Sequence, residues 1–248
     1  MTIGDWEVLL CSGSGFIFAF MDLPSKKVFS VLQANRVEYL YHANSVITSC
    51  QFLRNGALLS RGSVARKRLY QTPQKSDDDD KAFGLWFDVF TDSVDIHKRA
   101  SQANFYGPVL FVIRLADLGY TGRIWVTKLN PIKWEGKPRH DKWFSSVQEL
   151  QNEFSAGRFD EMVVFRHCGG ELPIKKCLAK IILDDPRLET SKRRIDYFSM
   201  AYGALKLAMT EGKIDVPIEK RRCSGGCKCE RYYERGKTTT EMFFPKLK

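Results

Sequence analysis

The 248-residue sequence has no apolar run close to the ~20 residues that cross a bilayer, so no membrane-spanning helix is expected. It also lacks a glycine-rich phosphate loop, a G-x-S-x-G elbow and an H-E-x-x-H pair, which argues against kinase, hydrolase and zincin chemistry. No internal repeat or low-complexity tract appears. Acidic residues are outnumbered, 29 against 39 basic, for a formal charge of +10. Such an excess points to an anionic partner, either nucleic acid or a phosphorylated small molecule. A secretory leader is not expected: Val8–Met21 is uncharged, but Asp5 and Glu7 stand where a leader carries positive charge, and Ser-Gly-Ser-Gly at 12–15 interrupts it. The chain therefore reads as cytoplasmic, with the seven cysteines at 11, 50, 168, 177, 223, 227 and 229 reduced.

What is present is globular in proportion, with 44% hydrophobic and 27% charged residues. A body this size buries enough core to fold without disulfides or metals. The charge is uneven. Ser191 onward carries 14 basic and 7 acidic residues, a net of +7, which leaves only +3 for the first 190 residues. This composition shift divides the chain into a body, 1–190, and a basic extension, 191–248.

Strands are expected at Trp6–Leu10, Phe16–Phe20, Lys27–Leu32, Val37–Tyr41, Leu85–Phe90, Val109–Arg114, Arg123–Leu129, Met162–Phe165 and Leu178–Leu183. Val46, Ile47, Cys50 and Leu53 recur at helical spacing after Asn44, read as the N-cap, and before Gly56 as the C-terminal stop. Ser146 and Glu149 form a capping box ahead of Val147, Leu150 and Phe154, with Gly157 ending that helix. A third helix is expected within 191–212 from Ile195, Phe198, Ala201, Leu205 and Ala208. Residues 60–82, with the Asp77–Asp80 run as a solvated turn, and 130–144 read as long loops. The class is α+β.

His42 falls at the end of a strand, before a capped helix, where folds commonly meet ligands. At this point a resemblance is evident. RVEYLYHANSVITSCQFLRNGALLSRG (36–62), KWFSSVQELQNEFSAGRFDEMVVF (142–165) and ELPIKKCLAKIILD (171–184) are similar, in that order, to segments of the DarT-type ADP-ribosyltransferases. The likeness covers roughly residues 30–186. Where that family carries His-Phe-Thr, this chain has His42-Ala43-Asn44. The resemblance implies an α+β fold, a split β-sandwich around an NAD cleft, with the basic extension added at the C-terminus. It implies that NAD is the substrate, that a nucleobase in DNA or RNA is the acceptor, and that the enzyme is a toxin paired with an antitoxin protein.

Cleavage of the nicotinamide–ribose bond passes through a cationic sugar, which a nearby carboxylate stabilises. Glu161, ahead of the apolar run 162–165, is the carboxylate that the resemblance marks as catalytic. The resemblance implies that His42 holds the nucleotide half of NAD, and Asn44 beside it is assigned to the same cofactor. The resemblance implies an NAD-contacting arginine in the 60–82 loop, where a planar donor fork suits a diphosphate; Arg61 is the first candidate, ahead of Arg66 and Arg68, because it follows the helix most directly. Gln74 and Asp77 could serve nicotinamide or ribose. Asp95, His97, Arg99 and Asn104 cluster at a strand entry, and the resemblance implies that this region lies beside the NAD cleft. Among these, Arg99 is assigned to cofactor binding. Arg221, Arg222, Lys228 and Arg231, with Tyr232 and Tyr233, suit phosphate contact with base stacking. Cys223, Cys227 and Cys229 are compact enough to hold one zinc ion with a fourth ligand such as Cys168 or His167; free thiols in a basic turn are the simpler reading, and no metal ligand is assigned. Two other functions fit the same residues: a non-catalytic, zinc-containing nucleic-acid-binding module, and an NAD-cleaving enzyme without a polymer acceptor.

Overall fold

A computed structural model describes residues 22–74, 76–99, 105–189, 196–222 and 229. The elements run β1 (Leu23–Pro24), α1 (Ser25–Ala34), β2 (Tyr39–Asn44), α2 (Val46–Asn55), β3 (Ala57–Leu59), α3 (Arg61–Arg66), α4 (Asp77–Ala82), β4 (Val89–Asp92), α5 (Ile96–Arg99) and β5 (Val109–Arg114). They continue with β6 (Arg123–Val126), α6 (Arg139–Lys142), α7 (Val147–Glu153), β7 (Met162–Phe165), β8 (Glu171–Pro173), β9 (Leu178–Asp184), α8 (Tyr197–Gly212) and β10 (Ile218–Arg221). The fold is α+β. One eight-stranded sheet has the order β1-β6-β7-β4-β2-β5-β9-β10, and β3 pairs with β8 in a separate ribbon. Every neighbouring pair in the large sheet is antiparallel except β9–β10. Among the described residues, no helix is long and apolar enough to cross a membrane.

The central strand β2 lies between β4 and β5, and Phe52 and Leu53 of α2 belong to the core beside Leu40, Phe111 and Ile113. The cap of α2 is Ser45 rather than Asn44: the Ser45 hydroxyl accepts the Thr48 N–H, while Asn44 is still in β2 and its Oδ1 accepts the Ser45 N–H. The other end of α2 closes as expected on Gly56, at φ +66°. α8 packs against α2, and Gly212 is where they meet most closely, since a Cβ there would lie 1.9 Å from the Leu53 carbonyl oxygen. Through α8 and β10, residues beyond 196 thus share the core and the sheet of the body.

Several expectations are corrected. The strand expected at Lys27–Leu32 lies within helix α1, because Val28, Val31 and Leu32 are buried at i, i+3, i+4 spacing that alternation cannot satisfy. Residues 60–82 hold two short helices; Ser60 caps α3, and Asp77–Asp80 form the first turn of α4, where carboxylates favour the helix N-terminus. The strand expected from Leu85 begins only at Val89. The 130–144 loop contains α6 and a 3₁₀ turn at Pro131–Lys133. β10 was not anticipated. The strands expected at Trp6–Leu10 and Phe16–Phe20 lie outside the described residues.

Candidate functional site: a polar cleft at the end of β2 and β4

A cleft opens beside the C-terminal end of β2 and the antiparallel strand β4 next to it. Its volume of about 120 Å³ suits a ring-sized polar group rather than a single water. His42, Asn44 and Thr48 form part of its floor, and Ser60, Arg61, Gln71, Gln74 and Ser76 line it from the α2–α4 segment. Asp80, Asp88 and Asp92 supply carboxylates, while Asn130–Ile132 and Tyr106 complete the lining.

His42 is fixed from two sides. Its Nδ1 lies 2.8 Å from the Phe90 carbonyl oxygen, and its Nε2 lies 3.4 Å from Asn44 Nδ2. Asn44 Oδ1 already accepts the Ser45 N–H at 2.9 Å, so its amide nitrogen faces the ring. The imidazole therefore donates through Nδ1 and accepts through Nε2, which is the neutral form. Burial favours the same form by pushing its pKa down, against the pull of the Phe90 carbonyl. Phe52 and Phe111 flank the ring at 5.6 and 6.4 Å between centroids. Gly107 closes over this corner: a Cβ there would stand 2.3 Å from the Asn44 carbonyl, and its φ of +136° suits only glycine.

Arg61 begins α3, and its guanidinium forks onto Asp77, Nε to Oδ1 at 2.8 Å and Nη2 to Oδ2 at 2.6 Å. Its Nη1 donates to the Thr72 carbonyl at 2.8 Å. The Gln74 N–H reaches Asp77 Oδ2 at 3.2 Å, so one ion pair holds the 72–77 segment against the cleft. Hydroxyls reinforce it: Thr72 donates to Ser45 at 2.8 Å and Ser45 to Thr48 at 3.0 Å.

Two of the lining carboxylates are perturbed. Burial pushes Asp88 up to about 7, outweighing the Arg166 guanidinium 2.9 Å away, and Asp80 adds to the rise. Burial likewise pushes Asp80 up to about 6, against the Ser76 hydroxyl and Arg61. Arg166 is itself sandwiched over Trp125 and Trp143, at 4.9 and 5.5 Å from their ring centroids.

Four residues chosen from sequence, His42, Asn44, Arg61 and Gln74, thus line one cleft. Glu161 is not among the lining residues. It is 3% exposed; Oε2 accepts the Ser155 N–H at 2.7 Å and Oε1 faces Arg158 Nη1 at 3.1 Å. The reason is register. Met162 pairs with Asp92 across β4–β7, opposed residues share a face and successive residues alternate, so Met162 and Asp92 face the cleft and Glu161 faces away. Asp92, Asp88 and Tyr106 were missed; the alternation of Phe90 and Asp92 against buried Val89 and Thr91 was the available signal for Asp92.

No protein-family model matches the chain, and no curated protein matches it significantly.

The remaining candidates lie elsewhere. Arg221 is in β10 with its Nε 2.6 Å from Asp184 Oδ1 and its Nη1 2.6 Å from Asp95 Oδ2, so it is committed to a buried ion cluster. Arg222 is 71% exposed and 3.7 Å from Asp185, open to a phosphate. The Arg99 side chain, Lys228, Arg231, Tyr232, Tyr233, Cys223 and Cys227 lie outside the described residues. Among the described residues, no group of three or more histidine, cysteine or acidic side chains is placed to hold a metal ion. His167 is exposed, and the Cys168 thiol points to the Phe165 carbonyl.

Proposed function

We propose that the cleft binds NAD and that the protein is an ADP-ribosyltransferase acting on a nucleobase in DNA or RNA, in the manner of a toxin restrained by an antitoxin. One observation carries this reading: His42 and Asn44 of β2, Arg61 of α3 and Gln74 of the segment before α4, all expected from sequence to meet NAD, converge on one cleft. In this reading the neutral His42, engaged by the Phe90 carbonyl and the Asn44 amide, orients Asn44 so that its second amide N–H meets the ribose or the nicotinamide amide. Arg61 has used three of its five N–H donors on Asp77 and Thr72, leaving two for a phosphate oxygen. Asp92, on the cleft face opposite Met162, takes the role that the resemblance gave to Glu161: its carboxylate stabilises the cationic sugar as nicotinamide leaves and holds the 2-hydroxyl. Glu161 instead ties the turn after α7 to the start of β7.

The test is incubation with NAD labelled on the adenylate, together with single-stranded DNA, duplex DNA, RNA and protein. Label on a nucleic acid is expected. Asp92→Asn should lower transfer by ~10²–10³-fold, while folded Glu161→Gln keeps most of it. Label on protein alone would refute the acceptor class. Nicotinamide release with no labelled polymer would favour the NAD-cleaving alternative.

A further inference from the structure

Eight large apolar side chains are exposed among the described residues, and three of them gather at the mouth of the cleft. Tyr106, 37% exposed, and Ile132, 59% exposed, both line it, and Phe159, 38% exposed, stands beside the turn that carries Ile132. Both parts of this rim are held in place. Gly107 packs on the Asn44 carbonyl and fixes where Tyr106 enters. The Asn130 side chain accepts the Ile132 N–H and donates to the Phe159 carbonyl, each at 3.2 Å, and Lys133 reaches both oxygens of Asp160 at 2.8 and 2.9 Å. Lys133 Nζ also lies 5.6 Å from the Phe159 ring centroid, so a cation and an exposed ring share the rim.

The same segment continues as a basic stretch. Across 133–142, Lys133, Lys137, Arg139 and Lys142 stand against Glu135 and Asp141, a net of +2, and Lys137 and Arg139 are exposed. Arg139 rests 5.3 Å from the Trp125 ring centroid, which steadies its charge at the surface. Exposed rings beside spaced cations suit an unpaired strand, because every base offers a face for stacking and brings one phosphate with it. A duplex hides those faces. NAD brings two phosphates for Arg61 and leaves the cations of 133–139 without a partner. A protein partner is favoured by a continuous apolar patch, and Lys133 with Asp160 interrupts this one.

We propose that Tyr106, Ile132 and Phe159 seat one unpaired base of the acceptor strand, whose backbone runs along Lys133, Lys137 and Arg139. The inference rests on the nucleic-acid acceptor of the reading above and not on NAD. Base recognition then belongs to the rim of the cleft, and Arg222 is left to a flanking phosphate.

Fluorescence anisotropy on the full chain, without NAD, reads the binding of short labelled single strands of DNA and RNA and of a blunt duplex of the same sequence. Single strands of at least one of the two should bind ~10-fold or more tightly than the duplex. Tyr106→Ala and Phe159→Ala should each weaken single-strand binding ~5–150-fold, the range of a lost stacking partner, and Tyr106→Trp should keep it. Replacing Lys137 and Arg139 with glutamine should flatten the salt dependence by ~0.7 per lost contact. Calorimetric NAD affinity should stay put in all of these variants. Wild-type protein that binds no strand, or that binds duplex as tightly as single strands, overturns the proposal whatever the variants do. Unchanged single-strand affinity in folded Tyr106→Ala and Phe159→Ala overturns it too. Lost NAD affinity with single-strand affinity intact would give the rim to the adenine ring of the cofactor and overturn it as well. Single-strand binding that depends on Tyr106 in a protein with no affinity for NAD would uphold the seat while refuting the NAD reading.

Discussion

Arg61 and Asp77 offer the sharpest energetic test of how the cleft is built. Their side chains are 13% and 21% exposed, so solvent screens their fork less than it would a surface pair. Arg61→Met removes two charge-assisted hydrogen bonds to Asp77 and one to the Thr72 carbonyl. Hydrogen bonds to charged groups contribute ~1.5–3 kcal/mol each, and part is regained as water reaches Asp77, so a loss of roughly 2–4 kcal/mol is expected. For a protein this large that is a fall of about 4–16 °C in melting temperature. Asp77→Asn should cost less, because the amide oxygen can still accept the Gln74 N–H. Urea unfolding of the wild type, both single variants and the double variant gives the coupling, expected at about 1–3 kcal/mol. A coupling below about 0.5 kcal/mol would mean the fork does not hold the 72–77 segment. If Arg61 also meets the diphosphate, NAD affinity falls in Arg61→Met and stays low in the double variant.

Asp88 should make stability fall with rising pH. Its folded pKa, about 7, lies above its ordinary value, so between pH 4 and 7 the folded state holds a proton that the unfolded state has lost. The stabilisation is full below pH 4 and gone once pH passes 7, on the order of a few kcal/mol, and Asp88→Asn should flatten that stretch of a urea-unfolding profile. Arg221 and Arg222 should differ sharply despite being neighbours. Arg221→Gln leaves Asp184 buried without its main cation and should cost ~3–5 kcal/mol, whereas exposed Arg222→Gln should stay within ~0.5 kcal/mol. Replacing Arg222, Lys228 and Arg231 should flatten the salt dependence of nucleic-acid binding by ~0.7–0.9 per lost contact; an unchanged slope would place the acceptor surface elsewhere.

The sequence exposed the parts of this fold that follow from short-range physics. The spacing of Val46, Cys50 and Leu53 and the Gly56 stop mark α2; five apolar residues in a row mark β5; and Met162–Phe165 read as a buried strand. Misreadings arose where local and tertiary demands differ. Val28, Val31 and Leu32 are β-formers and aliphatics that read as a strand, yet their burial against one face of the core selects a helix. β10, with the sequence IEKR, has no apolar signature and exists because β9 offers an edge and Arg221 finds Asp184. For the cleft, residue type was enough to pick His42, Asn44, Arg61 and Gln74. The side of the sheet that Glu161 faces depends on the β4–β7 register, and the convergence of Tyr106 and Ile132 on one cleft depends on how the chain folds back to it. Neither is written in a local pattern.

The claim that the cleft takes NAD is tested most directly by calorimetric titration of NAD into the wild type and into His42→Ala. The ring's loss strips the Phe90 carbonyl and the Asn44 amide of their partner, so a destabilisation of ~1–3 kcal/mol is expected, small enough to leave folded protein to titrate. Saturable one-site binding is predicted for the wild type, weakened at least tenfold, or ~1.4 kcal/mol, in His42→Ala. No binding by the wild type, or equal affinity in both proteins, would contradict the account.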